Sequence, residues 1–402
     1  MRRYLIALTA GAMFLTGCNH ANSTLPQPAR DFMPNQTHAH ESTENPPMHY
    51  HVLHRFLGGA DGDDPRGTLV RDTAGNVYGT TRDGGPLGKG TVFKIDAGGT
   101  LIRFAFFKEI GDGAHPNGGL LLDAAGKLYG TAARGGTSGD GVVFRLDPSG
   151  NETVIHSFDG SDGDIPLAGL TQDASGNFYG TTQRGGAHGS GVVFKLDASG
   201  NETLLHSFAG DEFPNQTVVT DLAGDVFGTT PDGDFGFTGL AFKLGPRGKY
   251  AVLHSFRGYG DGFEPGAGLI RDAAGNLYGS TRTGGSVGGG IVYKLDRDGG
   301  ETILHDFSNP DGVAPQGDLV RDSAGNLYGT TRDGGTYFRG VIFRLDPNGN
   351  ETVLYNFNRS DGDHPTAGLI RDSAGNLYGT THSGGSSNCD PIGCGVVFEL
   401  SH

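Results

Sequence analysis

The 402-residue chain carries 30 Lys and Arg against 45 Asp and Glu, a net charge of −15. That balance excludes a nucleic-acid partner held through its phosphates, which needs a basic surface, and adhesion to anionic lipid through surface charge. With 73 Gly, 19 Pro and no Trp the composition borders on that of disordered chains, but the glycines recur at fixed offsets and read as turn chemistry.

The first element is a targeting segment. Met1-Arg2-Arg3 is basic, and Tyr4 to Leu15 is mostly apolar and too short to span a bilayer comfortably. Leu15-Thr16-Gly17-Cys18 follows and resembles the bacterial lipobox. The resemblance implies a signal peptide over 1–17, lipid attachment at Cys18, and export to the periplasmic or outer surface of a cell envelope. Several acyl chains on that cysteine would anchor the protein stably, where one would not. Residues 18–47 are polar and show no apolar periodicity, so they read as a disordered tether. His20, His38 and His40, with His49 just beyond, fit that composition better than a metal tract.

From residue 48 the chain repeats itself. Ala-Gly-Asn-Leu-Tyr-Gly-Thr-Thr and its variants place their Asn position at Asn76, Lys127, Asn177, Asp225, Asn276, Asn326 and Asn376. Gly-Val-Val-Phe places its aromatic at Phe93, Phe144, Phe194, Phe242, Tyr293, Phe343 and Phe398. Glu-Thr-Val-Leu-His-Ser-Phe is expected to place its Phe at Phe56, Phe106, Phe158, Phe208, Phe256, Phe307 and Phe357. One unit predicts four strands: 267–272, 276–281, 290–296 and 301–307, each rich in β-branched or aromatic residues and bounded by Gly, Asp, Asn or Pro. Seven such units predict an all-β, seven-bladed propeller over 48–402, with four antiparallel strands per blade. Consecutive apolar residues in the third strand, as in Val142-Val143-Phe144, require burial on both faces, which neighbouring blades supply. The chain enters on a fourth-strand sequence, His49 to Phe56, and leaves on a third-strand sequence, Gly395 to Leu400. The N-terminal strand therefore completes the last blade and removes an open sheet edge. Cys389 and Cys394 fall in this closing blade, in Cys-Asp-Pro-Ile-Gly-Cys, and predict a disulfide in an exported protein.

The unit Asp322-Ser-Ala-Gly-Asn-Leu-Tyr-Gly-Thr-Thr-Arg-Asp-Gly-Gly with Gly340-Val-Ile-Phe-Arg-Leu-Asp resembles the GloVer (Gloeobacter/Verrucomicrobia-type) tandem repeats, over about residues 50–400. Lys127 and Asp225 depart from its Asn. The resemblance implies an exported or surface bacterial protein and no settled activity, so it carries over no catalytic residue.

Loops joining fourth to first and second to third strands share one face, which varies and is the candidate binding face; the tight Asp-x-x-Gly turns occupy the other. Residues that recur at one position in most blades read as packing: His54, His156, His206, His254 and His305, with Tyr355 standing in once, and by the same logic Arg71, Arg271, Arg321 and Arg371 beside nearby Asp. The Asp-Gly-Asp loops at 61–63, 162–164 and 361–363 could offer carboxylates to calcium, but they lack a longer ligand set and read as turns, so no cofactor is expected. Residues that break the repeat are the binding candidates: Phe235, Phe237, Tyr337 and Phe338, with Arg82, Arg282 and Arg332 at the loop starts. Aromatics with Arg on a concave rim suit a carbohydrate or peptide. The expectation is a monomeric, envelope-anchored, non-enzymatic binding or scaffold module for a glycan or an envelope protein. The alternative is a propeller lyase or hydrolase, for which His188, Glu264 and His382 would have to gather in the central funnel.

Overall fold

The chain divides into two compact units, Met1–Asn45 and Pro46–His402. The computed structural model describes residues 48–108, 111–233, 239–386, 388–389 and 392–402. Cys18, the expected signal peptide and tether, and Phe235 and Phe237 lie outside the described residues.

Seven sheets follow one another in chain order, each built on four antiparallel strands. Blades 1 to 6 span 70–106, 121–157, 171–207, 219–255, 270–306 and 320–356. Blade 7 takes its inner three strands from 370–401 and its outer strand from His49–Arg55. That strand runs antiparallel to Val396–Ser401, from His49 opposite Ser401 to Arg55 opposite Val396. Cys389 and Cys394 are disulfide-bonded beside this closure, and Cys394 is buried with Phe56 and Val397.

Two features make the strands pack as blades. The first is a glycine in the middle of each second strand, opposite the third-strand aromatic. A Cβ at Gly329 would stand 2.6 Å from Phe343 Cζ and 2.9 Å from Leu319 Cδ2, and Gly79, Gly130, Gly180, Gly228 and Gly379 meet their phenylalanines equally closely. The second is a bulge between third and outer strands: Val143 pairs with His156 but Phe144 with Val154, leaving Ile155 extra. The extra residue packs against the cluster that holds Phe178 and Phe194 of the next blade. Every apolar cluster mixes two adjacent blades in this way, so the core is seven seams rather than one centre.

The uniform turns on the opposite face are knots of hydrogen bonds. The Asn326 N–H and Nδ2 donate to Asp322 at 2.9 and 2.8 Å, and the Tyr328 hydroxyl donates to the same carboxylate at 3.1 Å. Gly325, at φ 93°, supplies the turn that a Cβ would strain. Arg371 of blade 7 then lies over the Tyr328 ring at 5.7 Å, and Arg271 of blade 5 pairs with Asp221 of blade 4 at 3.5 Å. These recurring arginines are structural, as expected, and their partners lie on the preceding blade.

Two sequence expectations change. The inner strand of blade 5 is only Ile270–Arg271, as short as the inner strand of every other blade, and ahead of it the Gly268 N–H donates to Asp318 of blade 6 at 2.6 Å. In blade 1 the repeat's aromatic is Phe107 rather than Phe106: Phe107 is 1% exposed and Phe106 46%. Ala105 occupies the histidine position there, opposite Val92, and Phe107 follows Phe93 at the same interval as Phe158 follows Phe144.

Gly329→Ala should destabilise the domain by about 1–3 kcal/mol through overpacking against Phe343, read as a lowered Tm. Tyr293→Phe should act in the opposite direction. The buried Tyr293 hydroxyl faces Gly279 with no hydrogen-bond partner among the described residues, so its removal should stabilise by about 1 kcal/mol.

Candidate functional site

Each inner strand is entered through a residue-proline pair: Asp64-Pro65, His115-Pro116, Ile165-Pro166, Phe213-Pro214, Glu264-Pro265, Ala314-Pro315 and His364-Pro365. All seven residues before proline hold φ between 39 and 59°, a region that side chains with a Cβ rarely occupy. The surrounding structure imposes it. The proline ring is wedged against a glycine of the preceding blade, as Pro116 is on Gly90 and Pro365 on Gly340. The strained residue also pairs with the end of its own second strand: the Arg82 N–H donates to Asp64 O at 3.0 Å, Gln183 to Ile165 at 3.0 Å, and His382 to His364 at 3.2 Å. The backbone is thus the same seven times, while the side chains it presents are not.

The residues after these prolines, with residues that end the second strands, line a cavity of about 540 Å³. Glycines just ahead of the inner strands line it together with Thr68, Thr217 and Asp318. The Gly368 N–H donates to Thr68 Oγ1 at 3.2 Å across the join of blades 7 and 1. Burial there pushes the Asp318 carboxyl up from the usual range, although the Gly268 N–H opposes the shift. The lining is divided. Arg282, Arg332, His382, Arg82 and Arg66 come from blades 5, 6, 7 and 1, which are contiguous around the ring. Blades 2, 3 and 4 contribute Asn117, Leu167, Asn215 and Gln216. Asp318 is the one carboxylate among the lining residues described.

Carboxylates beside the arginines hold them in place. Arg82 lies 3.5 Å from Asp64 and 3.7 Å from Asp83, Arg282 lies 3.6 Å from Glu264, and Arg332 lies 3.5 Å from Asp333. At these separations the pairs are ionic rather than tightly hydrogen-bonded, which leaves guanidinium donors for a ligand. Asp64 is the anchor of the arc. Arg66 Nε donates to it at 2.7 Å, and His382 Nδ1 from the neighbouring blade is hydrogen-bonded to it. Burial would raise its carboxyl, but the His382 and Arg66 hydrogen bonds outweigh burial and hold it below the ordinary value.

His364 bridges in the same manner, 3.0 Å from Asp333 of blade 6 and 2.8 Å from Asp363. Its hydrogen bonds to Asp333 and Asp363 push its pKa up to about 9, against a smaller effect of burial.

Of the residues expected at a site, Arg82, Arg282 and Arg332 converge on the mouth. Tyr337 and Phe338 are exposed on the blade 6 loop, outside the cavity lining. His188 is exposed, while Glu264 and His382 sit on different blades and serve Arg282 and Asp64, so the three form no cluster. The paired loop carboxylates also diverge: Asp162 takes His156 at 3.0 Å while Asp164 takes Arg134 at 3.3 Å. Arg66 and His382 are site residues that pattern reading missed as binding groups. Each occupies a repeat position filled differently in the other blades, and that variation was the available signal.

A proton on His364 stabilises the fold, so its contribution is complete below about pH 6.5 and is lost as pH rises through about 9. His364→Ala should therefore lower Tm at pH 6 and have little effect at pH 10, measured by thermal melts of both proteins across that range.

Several solved propellers share the architecture. Virginiamycin B lyase from Staphylococcus aureus aligns with a TM-score of 0.62 and 11% identity, over 88% of this chain and 99% of that one. The extracellular domain of the putative hybrid two-component system BT4673 from B. thetaiotaomicron gives 0.57 and 10%, over 87% of this chain and 39% of that one. A putative 6-phosphogluconolactonase from Bacteroides uniformis gives 0.51 and 18%, over 76% and 88%. At these identities the likeness is one of fold. No curated protein matches the sequence. The Gloeobacter/Verrucomicrobia repeat matches residues 42–234 and again 213–402, in keeping with the glycines, aromatics and Asp turns that recur through all seven blades. The chain belongs to the Gloeobacter/Verrucomicrobia repeat family.

Proposed function

We propose that the protein is a non-enzymatic binding module, anchored to a bacterial envelope through Cys18, whose axial mouth takes an anionic ligand, with an acidic glycan as the favoured class. The observation that carries this reading is the cationic arc. Four arginines and His382, with Gln316 and Thr366 between them, line one side of the cavity on an otherwise acidic chain, and Asn117, Asn215, Gln216 and Leu167 line the other. A ligand with carboxylates along one edge and hydroxyls along the other matches that division. Guanidinium forks bind carboxylates through paired donors, and Asn and Gln bind hydroxyls.

The rim supports the same orientation. Tyr259, Val287, Tyr337, Phe338, Ile392, Leu57 and Leu87 are exposed on loops leading into or within blades 5, 6, 7 and 1. Tyr259, at 99% exposure, and the Tyr337–Phe338 pair offer ring faces against which sugar rings can pack. Among the described residues no group lining the mouth is placed as a nucleophile with its own base, which favours binding over turnover.

Calorimetry of the full chain with polyuronate and with neutral oligosaccharides tests the proposal. Polyuronate should bind and neutral chains should not, and affinity should fall as salt rises. Replacing Arg282 and Arg332 together by Ala should weaken binding at least about tenfold, given about 1.5–3 kcal/mol for each charged hydrogen bond lost. Equal binding of neutral chains, or no effect of the double substitution, would overturn it.

A further inference from the structure

The seams between blades hold a second set of polar groups, remote from the cavity lining. Each seam brings together three positions: the outer-strand residue after the bulge, a residue of the following loop, and the first residue of the next blade's outer strand. At three seams these are His, Asp and Glu: His156, Asp162 and Glu202; His254, Asp261 and Glu301; His305, Asp311 and Glu351. In each set one ligand atom per residue lies within 4.8 Å of the others. His156 Nε2 is 3.0 Å from Asp162 and 3.7 Å from Glu202. His254 Nε2 is 3.8 Å from Asp261 and 3.9 Å from Glu301. His305 Nε2 is 2.9 Å from Asp311. Donors about 2.1 Å from one ion stand roughly 3–3.5 Å apart, so little adjustment would bring each set around a cation.

A second observation points to a missing ligand. Oε1 of Glu202, Glu301 and Glu351 is buried with no hydrogen-bond partner among the described residues, as is Glu152 Oε1 at the seam where Ala105 stands in place of histidine; His254 Nε2 is also without one. Two seams fill the same space with stacked rings. At the blade 3–4 seam Tyr250 replaces the glutamate and stacks on His206 at 4.3 Å. At the blade 6–7 seam Tyr50 stacks on Tyr355 at 4.0 Å, and the Tyr355 hydroxyl donates to Asp361 at 2.6 Å. Only where His, Asp and Glu meet is the set left with two carboxylates and an imidazole around unfilled polar atoms.

We infer that these three seams are binding sites for first-row divalent cations of the Zn²⁺ class, each held by His Nε2 and two carboxylates. One imidazole with two carboxylates suits zinc and its neighbours, whereas calcium and magnesium prefer oxygen donors alone. Two carboxylates and a neutral imidazole carry the charge that a divalent ion neutralises. Without an ion, burial and the nearby Asp push Glu202 up to about 8 and Glu301 and Glu351 to about 7, so the competitor for each site is a proton. Side-chain exposures of 12–23% at the first seam leave solvent access for entry and for a water ligand.

The test is zinc uptake by chelator-treated full chain at pH 7.5, measured by calorimetry and by metal analysis after dialysis. The expected result is about three equivalents and a raised Tm. Glu202→Gln, Glu301→Gln and Glu351→Gln should each remove one equivalent. Gln keeps the shape and relieves buried charge, so circular dichroism and an undiminished metal-free Tm will show that the variants fold. Glu152→Gln, at the seam where Ala105 replaces the histidine, should leave uptake unchanged. No stoichiometric uptake would overturn the inference. So would uptake that persists in the triple Gln variant, because the ions would then lie elsewhere, for instance on the histidines at 20–51.

Discussion

The whole ring depends on a phenyl ring pressed against bare backbone. In the middle of each blade the third-strand aromatic lies over a second-strand glycine with no room for one more carbon. That contact lets the ring fill the space between sheets while the sheet stays thin enough for seven to converge. Fully buried phenylalanines or tyrosine stand at every one of these positions, and each cluster they anchor belongs to two blades. Stability is therefore distributed along seams, as expected for repeat proteins whose units cannot bury their own faces. Closure by the N-terminal strand makes the seventh seam like the rest, and the disulfide lies beside it.

The same seam packing generates the candidate site. A proline wedged on the neighbouring blade's glycine forces the residue before it into left-handed backbone, at a cost of order 1–2 kcal/mol for a side chain with a Cβ. Seven such residues form a rigid crown around the axis, each paired with the end of a second strand. Because the backbone is held by packing, the side chains are free to differ. Arg82, Arg282, Arg332 and His382 occupy one shared position, and Ala133, Gln183 and Pro231 occupy it elsewhere. A division into a cationic and a neutral half then needs only a few substitutions and no change of fold.

The recurring polar residues behave differently at the two ends of the blade. On the tight-turn face, Asp322 and its equivalents collect Asn and backbone donors that outweigh burial and hold the carboxyl low. At the outer seams, glutamates facing Asp have one oxygen without a donor and are pushed up instead. Both sets repeat, so repetition alone does not separate a satisfied structural carboxylate from an unsatisfied one. Counting hydrogen-bond donors around each group does.

The blade count, strand order, closure by His49–Arg55 and the Cys389–Cys394 pair were all legible in the sequence, because each rests on local pattern: period, turn chemistry and consecutive apolar residues. Arg82, Arg282 and Arg332 were legible as departures from the repeat. What pattern could not supply was distance across blades. The buried aromatic of blade 1, Phe107 rather than Phe106, was legible from its interval to Phe93, which matches the other blades, whereas Asp318 was placed in the channel wall by a glycine one repeat away. Arg66, Asp64 and His382 gathered from the two ends of the chain, more than 300 residues apart, and His156 met Glu202 of the next unit. The sequence determined the unit and how often it recurs, because both follow from short-range backbone preference and hydrophobic period. Tertiary structure alone decided which side chains face each other, because ring closure and blade packing place residues next to one another without regard to their separation along the chain.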